Sequence, residues 1–344
     1  MSTTPEESRP DVLGPEWDVE TIELPAEDDG ELAATLVRRR ATAGLHDGVA
    51  DGPADGVARG AVLHVHGFAD YFFQLEYAAW WTERGYDFYA LDLRRYGRSL
   101  RPGNLANHVA DLAEHHPELD AAWERITVRD GHRRVVGSAH STGGLTLPLW
   151  ADDRRPSELV ALVLNSPWLD LQGSPLMRTI GTQVIDRLAR LRPLQVIPRD
   201  VSGVYARSLH RDFEGEWDFD LRWKPYASFE VRVAWLAAIR RGHARLHRGL
   251  GLTVPTLVLS SDRSTTATEM GEDVLSTDIV LDVSQIRRWA PSISSHVTVV
   301  AVPGALHDVV LSRAEPRRRV YETLGTWVDA WLDGGSTVRS DRDR

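Results

Sequence analysis

Six short, mostly apolar runs recur along the chain: Ala61–His66, Tyr86–Leu91, Arg133–Val136, Leu159–Leu164, Thr256–Leu259 and Val297–Val302. They read as buried strands, and helix-compatible stretches separate them. A strand that returns parallel to its neighbour needs a crossover connection, usually a helix. The alternation therefore predicts an α/β fold, a doubly wound and mostly parallel sheet with helices on both faces. Ahead of it, Trp17–Leu24 and Leu32–Val37 read as the two strands of a hairpin. The alternation stops between about Leu171 and Arg245, where arginine-rich amphipathic stretches and Trp217 and Trp223 occur without a clear strand pair. A helical cap inserted after a strand is expected there. The resulting division is a core over residues 16–170 and 246–333, a cap over 171–245, a disordered N-terminus over 1–15 and a flexible tail over 334–344. The Gly-, Ala- and Asp-rich stretch Ala41–Gly60 reads as a flexible surface loop.

Composition narrows the function classes. The 344 residues, 42% hydrophobic and 26% charged, suffice for one large α/β domain with an insertion. No apolar run reaches the roughly 18 residues of a transmembrane helix, so no integral membrane segment is expected. The acidic, polar start is the opposite of a secretory signal, and the expected compartment is the cytoplasm. The absence of cysteine excludes disulfides, thiolate metal sites and a cysteine nucleophile. A formal net charge of -10 argues against nucleic acid or an anionic membrane as main partner. Basic residues are almost all arginine, with Lys224 the only lysine; this bias reads as codon composition. Oligomeric state has no signature.

The sharpest chemical signal is the run Gly137-Ser138-Ala139-His140-Ser141-Thr142-Gly143-Gly144, set between an apolar strand and a helix-compatible stretch. A serine hydroxyl becomes a useful nucleophile when a tight turn presents it to a base and the next amide can bind an oxyanion. Small neighbours let strand and helix backbones approach. Ala139 stands where the G-x-S-x-G pattern has its first glycine. Upstream, His66-Gly67-Phe68-Ala69-Asp70 follows a strand, and a glycine there lets the chain turn sharply towards the elbow. The amides of Phe68 and Thr142 are the candidate oxyanion hole. Downstream, Pro303-Gly304-Ala305-Leu306-His307 follows the last strand, the position of a catalytic base in a doubly wound hydrolase. His64 and His66 with Asp70 could suggest zinc, but no third histidine is near in sequence; both read as hydrogen-bonded structural residues, and no metal is expected. His108, His115 and His116 read as solvated.

These motifs, with Asp92-Leu93-Arg94-Arg95-Tyr96-Gly97-Arg98-Ser99, resemble the α/β-hydrolases of the monoacylglycerol lipase or serine aminopeptidase-like group. The resemblance spans roughly Gly60 to Trp331, and the cap segment matches only in position and helical character. Arg95 departs from the family's Asp-x-Arg-Gly-x-Gly-x-Ser block. The resemblance implies an α/β-hydrolase fold, hydrolysis of a fatty or small acyl ester, a small-molecule acyl ester as partner and no cofactor.

The acid remains open between candidates. Asp278-Ile279-Val280-Leu281-Asp282 resembles the family's acid segment, and Asp278 lies 29 residues before His307. Asp262, just past a strand end, is the alternative, and Asp282 ranks third. The losing carboxylates are expected to cap loops. Phe68 and Trp168 are the candidate substrate-binding residues, while most other aromatics, including Tyr71, Phe72, Trp80 and Trp81, are expected to include core packing residues. The leading expectation is a serine carboxylic ester hydrolase using Ser141, His307 and Asp278 through an acyl-enzyme. Two rivals remain: amide or aminopeptide cleavage on the same triad, and a non-catalytic homologue that binds a small ligand. A substrate amino terminus would want a carboxylate, and Asp212, Glu214, Glu216, Asp218 and Asp220 could supply one, although that run reads as solvated.

Overall fold

The computed structural model describes residues 12–42, 58–171, 185–199 and 201–333. The expected flexible tail, most of the Ala41–Gly60 loop, residues 172–184 of the expected cap, and residues 1–11 fall outside the described residues. The disordered N-terminus expected to reach Pro15 is too long, because Val12 and Leu13 pack partly buried against the core.

Eight strands form one sheet: β1 (Asp18–Glu27), β2 (Gly30–Arg39), β3 (Gly60–Val65), β4 (Tyr86–Asp92), β5 (Val135–His140), β6 (Leu159–Asn165), β7 (Thr256–Ser261) and β8 (Val297–Val302). Their spatial order is β1-β2-β4-β3-β5-β6-β7-β8. The β1–β2 and β2–β4 pairs are antiparallel and the other pairs are parallel. This is the α/β-hydrolase fold.

The fifth strand differs from expectation. Arg133 and Arg134 are exposed and precede it, and the strand continues through Gly137-Ser138-Ala139 to His140. Small residues there reflect tight packing, since a Cβ on Gly137 would lie 2.8 Å from Leu162 Cδ2.

Helices cover both faces: α1 (Leu75–Glu83), α2 (His116–Glu124), α3 (Gly143–Arg154), a helical stretch described over 185–191 (α4), α5 (Val204–Leu209), α6 (Val233–Leu246), α7 (Val283–Trp289) and α8 (Ala314–Val328). Strand residues alternate between two apolar clusters, as a period of two requires. Ala61, Leu63 and Val65 of β3 join α2, α3, α6 and α7 on one face. Val62 joins α1 and α8 on the other. Between β6 and β7 the chain leaves the sheet for α4, α5 and α6, and α6 returns to pack on α3. No helix among the described residues is long and apolar enough to cross a membrane.

Candidate active site

Ser141 occupies the single step between the end of β5 and Thr142, which caps α3, and its φ is 51°. A non-glycine residue in this left-handed region costs roughly 1–2 kcal/mol, so the surroundings must hold it. The Ser141 N–H donates to Asn165 O at 3.0 Å, while its carbonyl accepts from Gly144 N at 3.0 Å and Trp168 N at 2.9 Å. Gly143 permits the close crossing over β3: a Cβ there would collide with the carbonyl oxygens of Val65 and His66. Ala139 is tolerated because it sits inside β5, paired with Val65 and Leu164.

The loop after β8 brings His307 to this serine. Its Nε2 lies 3.0 Å from Ser141 Oγ, and its Nδ1 lies 2.9 Å from Asp278 Oδ2. With Nδ1–H donating to the carboxylate, Nε2 is free to accept the serine proton. Asp278 is fully buried, and its other oxygen accepts from the Val280 and Leu281 amides, each at 2.8 Å. His307 is steadied from behind. The Asp308 side chain accepts from Asn165 Nδ2 at 2.6 Å and Gln74 Nε2 at 3.1 Å, and the Leu306 N–H donates to Ser312 Oγ at 2.9 Å.

The other acid candidates lie elsewhere. Asp262 accepts from the Gly304 amide at 3.3 Å and so shapes the turn that precedes His307. Asp282 caps α7 by accepting from Ser284 N at 2.9 Å.

The opposite wall is the loop after β3. His66 Nε2 accepts from Leu93 N–H at 3.0 Å, which places its proton on Nδ1, 2.8 Å from Gly67 O. That bond fixes the Gly67–Phe68 peptide. In a trans peptide C=O and N–H point oppositely, so the Phe68 N–H is turned away from His66. Among the described residues neither Phe68 N–H nor Thr142 N–H donates to a protein acceptor. Gly67 itself is close to the elbow, since an added Cβ would lie 3.0 Å from Ser141 Cβ. The Asp92 block supports this loop: Asp92 accepts from Phe72 N at 3.0 Å and Arg98 Nη1 at 2.8 Å. Arg95, the departure from the family block, has φ 66°, and ion pairs to Asp29 and Glu27 tie down its side chain.

A cavity of ≈ 880 Å³ opens over Ser141 and His307. Phe68 and Trp168 line it with Trp235, Ile197, Val231 and Val280, and the Phe68 and Trp235 rings are 4.4 Å apart. Tyr71, Phe72, Trp80 and Trp81 are buried in the core. Asp212, Glu214, Glu216, Asp218 and Asp220 do not line the cavity; Glu216 and Asp218 pair with Arg317 and Arg211.

Several histidines require correction or detail. His115 is buried rather than solvated, 3.0 Å from Glu118 Oε1 in a cluster with Arg94. His108 is half-buried, and burial pushes its pKa down to about 4. His64 lies 3.0 Å from Ser138 Oγ, and burial drives its pKa down to about 3, which keeps it neutral. The sequence reading missed a buried group beside Ser141: Asp70, His140 and Lys224. Lys224 Nζ donates to Asp70 Oδ1 at 2.8 Å, and His140 Nδ1 lies 3.3 Å from Asp70 Oδ2. Burial opposes ionisation of Asp70, yet the Lys224 charge and His140 hold its carboxyl well below the usual range. The available signal was a lone lysine in a chain that otherwise uses arginine.

Comparison with known proteins agrees with this architecture. A soluble variant of monoglyceride lipase from Saccharomyces cerevisiae superposes with a TM-score of 0.63 at 16% identity, covering 90% of this chain and 96% of that one. The monoacylglycerol lipase of Paleococcus ferrophilus gives 0.58 at 19% identity, covering 86% and 98%. A thermostable carboxyl esterase from Bacillus coagulans gives 0.59 at 13% identity, covering 91% and 98%. No curated protein matches the sequence. The family match extends over residues 56–313, from the approach to β3 past His307, and by it the chain belongs to the α/β-hydrolase family described as serine aminopeptidase, S33.

Proposed function

We propose that the protein is a serine carboxylic ester hydrolase that works through an acyl-enzyme. The observation that carries this reading is the hydrogen-bonded chain Ser141–His307–Asp278 at the floor of a largely apolar cavity. Ser141 Oγ attacks the ester carbonyl carbon as His307 Nε2 takes its proton, and Asp278 holds the imidazole and stabilises its charged form. The carbonyl oxygen becomes an oxyanion bound by the Phe68 and Thr142 amides, each donor worth about 2.7–4 kcal/mol. His307 then gives its proton to the leaving alkoxide, the alcohol departs, and the acyl group remains on Ser141. Water, deprotonated by His307, attacks the acyl-enzyme and releases the acid. The scheme uses no cofactor or metal.

In this reading the described residues between β6 and α6 that line the cavity, Ile197, Tyr205 and Val231 among them, form the cap over the acyl pocket, and Phe68 and Trp168 contact the acyl chain. The cavity volume falls in the range of about 300–1,000 Å³ usual for small-molecule sites. Its apolar side suits a fatty or aryl acyl group of a monoacylglycerol-like or lysophospholipid-like ester. The similar monoglyceride lipases and carboxyl esterase point the same way.

The family description favours a second reading, cleavage of an aminoacyl amide. Glu269 is a carboxylate on the cavity wall that could meet a substrate ammonium, but Arg199 on the same wall opposes it. A panel of p-nitrophenyl esters of increasing acyl length, set against aminoacyl anilides, tests the choice. Ester turnover with little anilide cleavage is expected, and the reverse would transfer the assignment to the second reading. A fluorophosphonate probe should label Ser141. Absence of both label and turnover would reduce the protein to a ligand-binding homologue.

A further inference from the structure

The chain's only lysine is buried against the active-site cavity, on the segment between β6 and β7. Burying an ammonium is costly unless it is paired, and here the pairing falls on one particular residue. Asp70, the one carboxylate within ion-pair distance of Lys224 among the described residues, lies three positions beyond Gly67 in the loop that carries the Phe68 amide. The rings of Phe73, Tyr205 and Phe219 surround the ammonium, with centroids 5.7, 6.0 and 5.9 Å from Nζ. A compact ammonium fits such an enclosure where a planar guanidinium would need more room and more acceptors.

The second oxygen of Asp70 faces His140, the residue before the nucleophile, and the His140 ring stands 4.9 Å from that of His307. One carboxylate thus joins three parts: the loop after β3, the end of β5, and the segment that crosses the cavity. The loop needs such an anchor. Ala69 is held at φ 48°, its N–H donating to Asn107 Oδ1 at 3.1 Å. Asp308, 4.0 Å from His140, adds a second negative charge. Burial opposes a charged imidazole at His140, but Asp308 and Asp70 outweigh burial and the Lys224 charge, so its pKa is raised. The crossing segment is also fastened nearby: Asp220 N–H donates to Tyr71 OH and Trp217 Nε1–H to Leu311 O, each at 2.7 Å.

We propose, on the basis of the ester-hydrolase reading, that Lys224 is a positioning residue that acts through Asp70 to hold the Phe68 amide where the oxyanion forms. The segment between β6 and β7 then sets the rate of the chemical step as well as the fit of the acyl group. A purely structural lysine would affect stability alone, and a substrate-binding lysine would affect KM.

The test compares wild type, Lys224→Met and Lys224→Met/Asp70→Asn on one p-nitrophenyl ester. Rates are normalised by fluorophosphonate titration of active sites, and each protein is melted. Lys224→Met leaves the buried Asp70 carboxylate with only the longer contact to His140; the double variant removes both charges and restores much of the stability. The expected kcat loss is about 10- to 100-fold in both variants with KM within about threefold, below the 10²–10³-fold loss of a complete oxyanion donor. In the double variant the melt should recover while kcat stays low. Wild-type kcat in the double variant, or a KM rise at constant kcat in Lys224→Met, would overturn the positioning role. If Lys224→Met does not fold, the double variant decides alone. Wild type inert towards every ester would overturn the functional reading and this one together.

Discussion

Ser141 and Asp278 reach the same histidine by opposite routes. The serine is delivered in one step from a strand end, by a residue forced into left-handed backbone and by glycines that remove colliding atoms. The aspartate arrives on a long excursion between β7 and α7, returned by an isolated bridge between Ser264 and Asp278. Its backbone is pinned by the Arg263 carbonyl and the Thr265 amide, both at 3.1 Å. One arrangement is local and steric; the other is non-local and built from hydrogen bonds. The first tolerates almost no change of residue size, whereas the second depends on polar contacts spread over many positions.

Four substitutions probe that contrast, in descending order of expected effect. Ser141→Ala removes the proposed nucleophile from an otherwise unchanged turn. Turnover should fall on the order of 10⁶-fold, as for nucleophile removal in other triads, with a melting curve like that of wild type. Substantial turnover in a purified variant would dismiss the assignment. Next, Asp278→Asn should reduce kcat by roughly 10⁴, because an amide cannot stabilise the imidazolium and favours the wrong tautomer. Asp262→Asn should leave kcat within a few-fold, since Asp262 meets Gly304 N rather than His307. The reverse ranking in matched assays would move the acid to the end of β7. Last, Asp282→Ala should cost about 1 kcal/mol of stability through loss of the α7 cap, with turnover preserved. A large activity loss at an unchanged melt would show that the excursion is less separable from the site than its contacts imply.

The contrast also explains what could be read in the primary structure. Apolar alternation and the elbow are short-range patterns, so the sheet, Ser141 and the His307 loop were legible. The acid was not settled, because Asp262 stands just past a strand end while Asp278 lies 29 residues before His307, and only the path of the intervening residues brings one of them to the histidine. The expected fifth strand ends four residues short of β5 because Gly137, Ser138 and Ala139 lack the bulk that marks a buried strand, although all are buried. His115 was misread as solvated for a related reason. Its partners, Glu118 and Arg94, come together only when α2 docks on the sheet. Asp70 and Lys224 lie 154 residues apart and share no local signal.

That pair has a practical consequence. A chain with one lysine carries one side-chain amine, and here it is only 6% exposed. An acylating reagent added to the folded protein reaches that ε-amine when the contact to Asp70 opens, so its modification rate counts openings of the segment over the cavity. A slowly hydrolysed ester analogue that keeps the segment shut should lower that rate. Counted at Lys224 alone, apart from acylation of the N-terminal amine and of Ser141, that rate is a chemical clock for motion at the cavity with no label to be engineered.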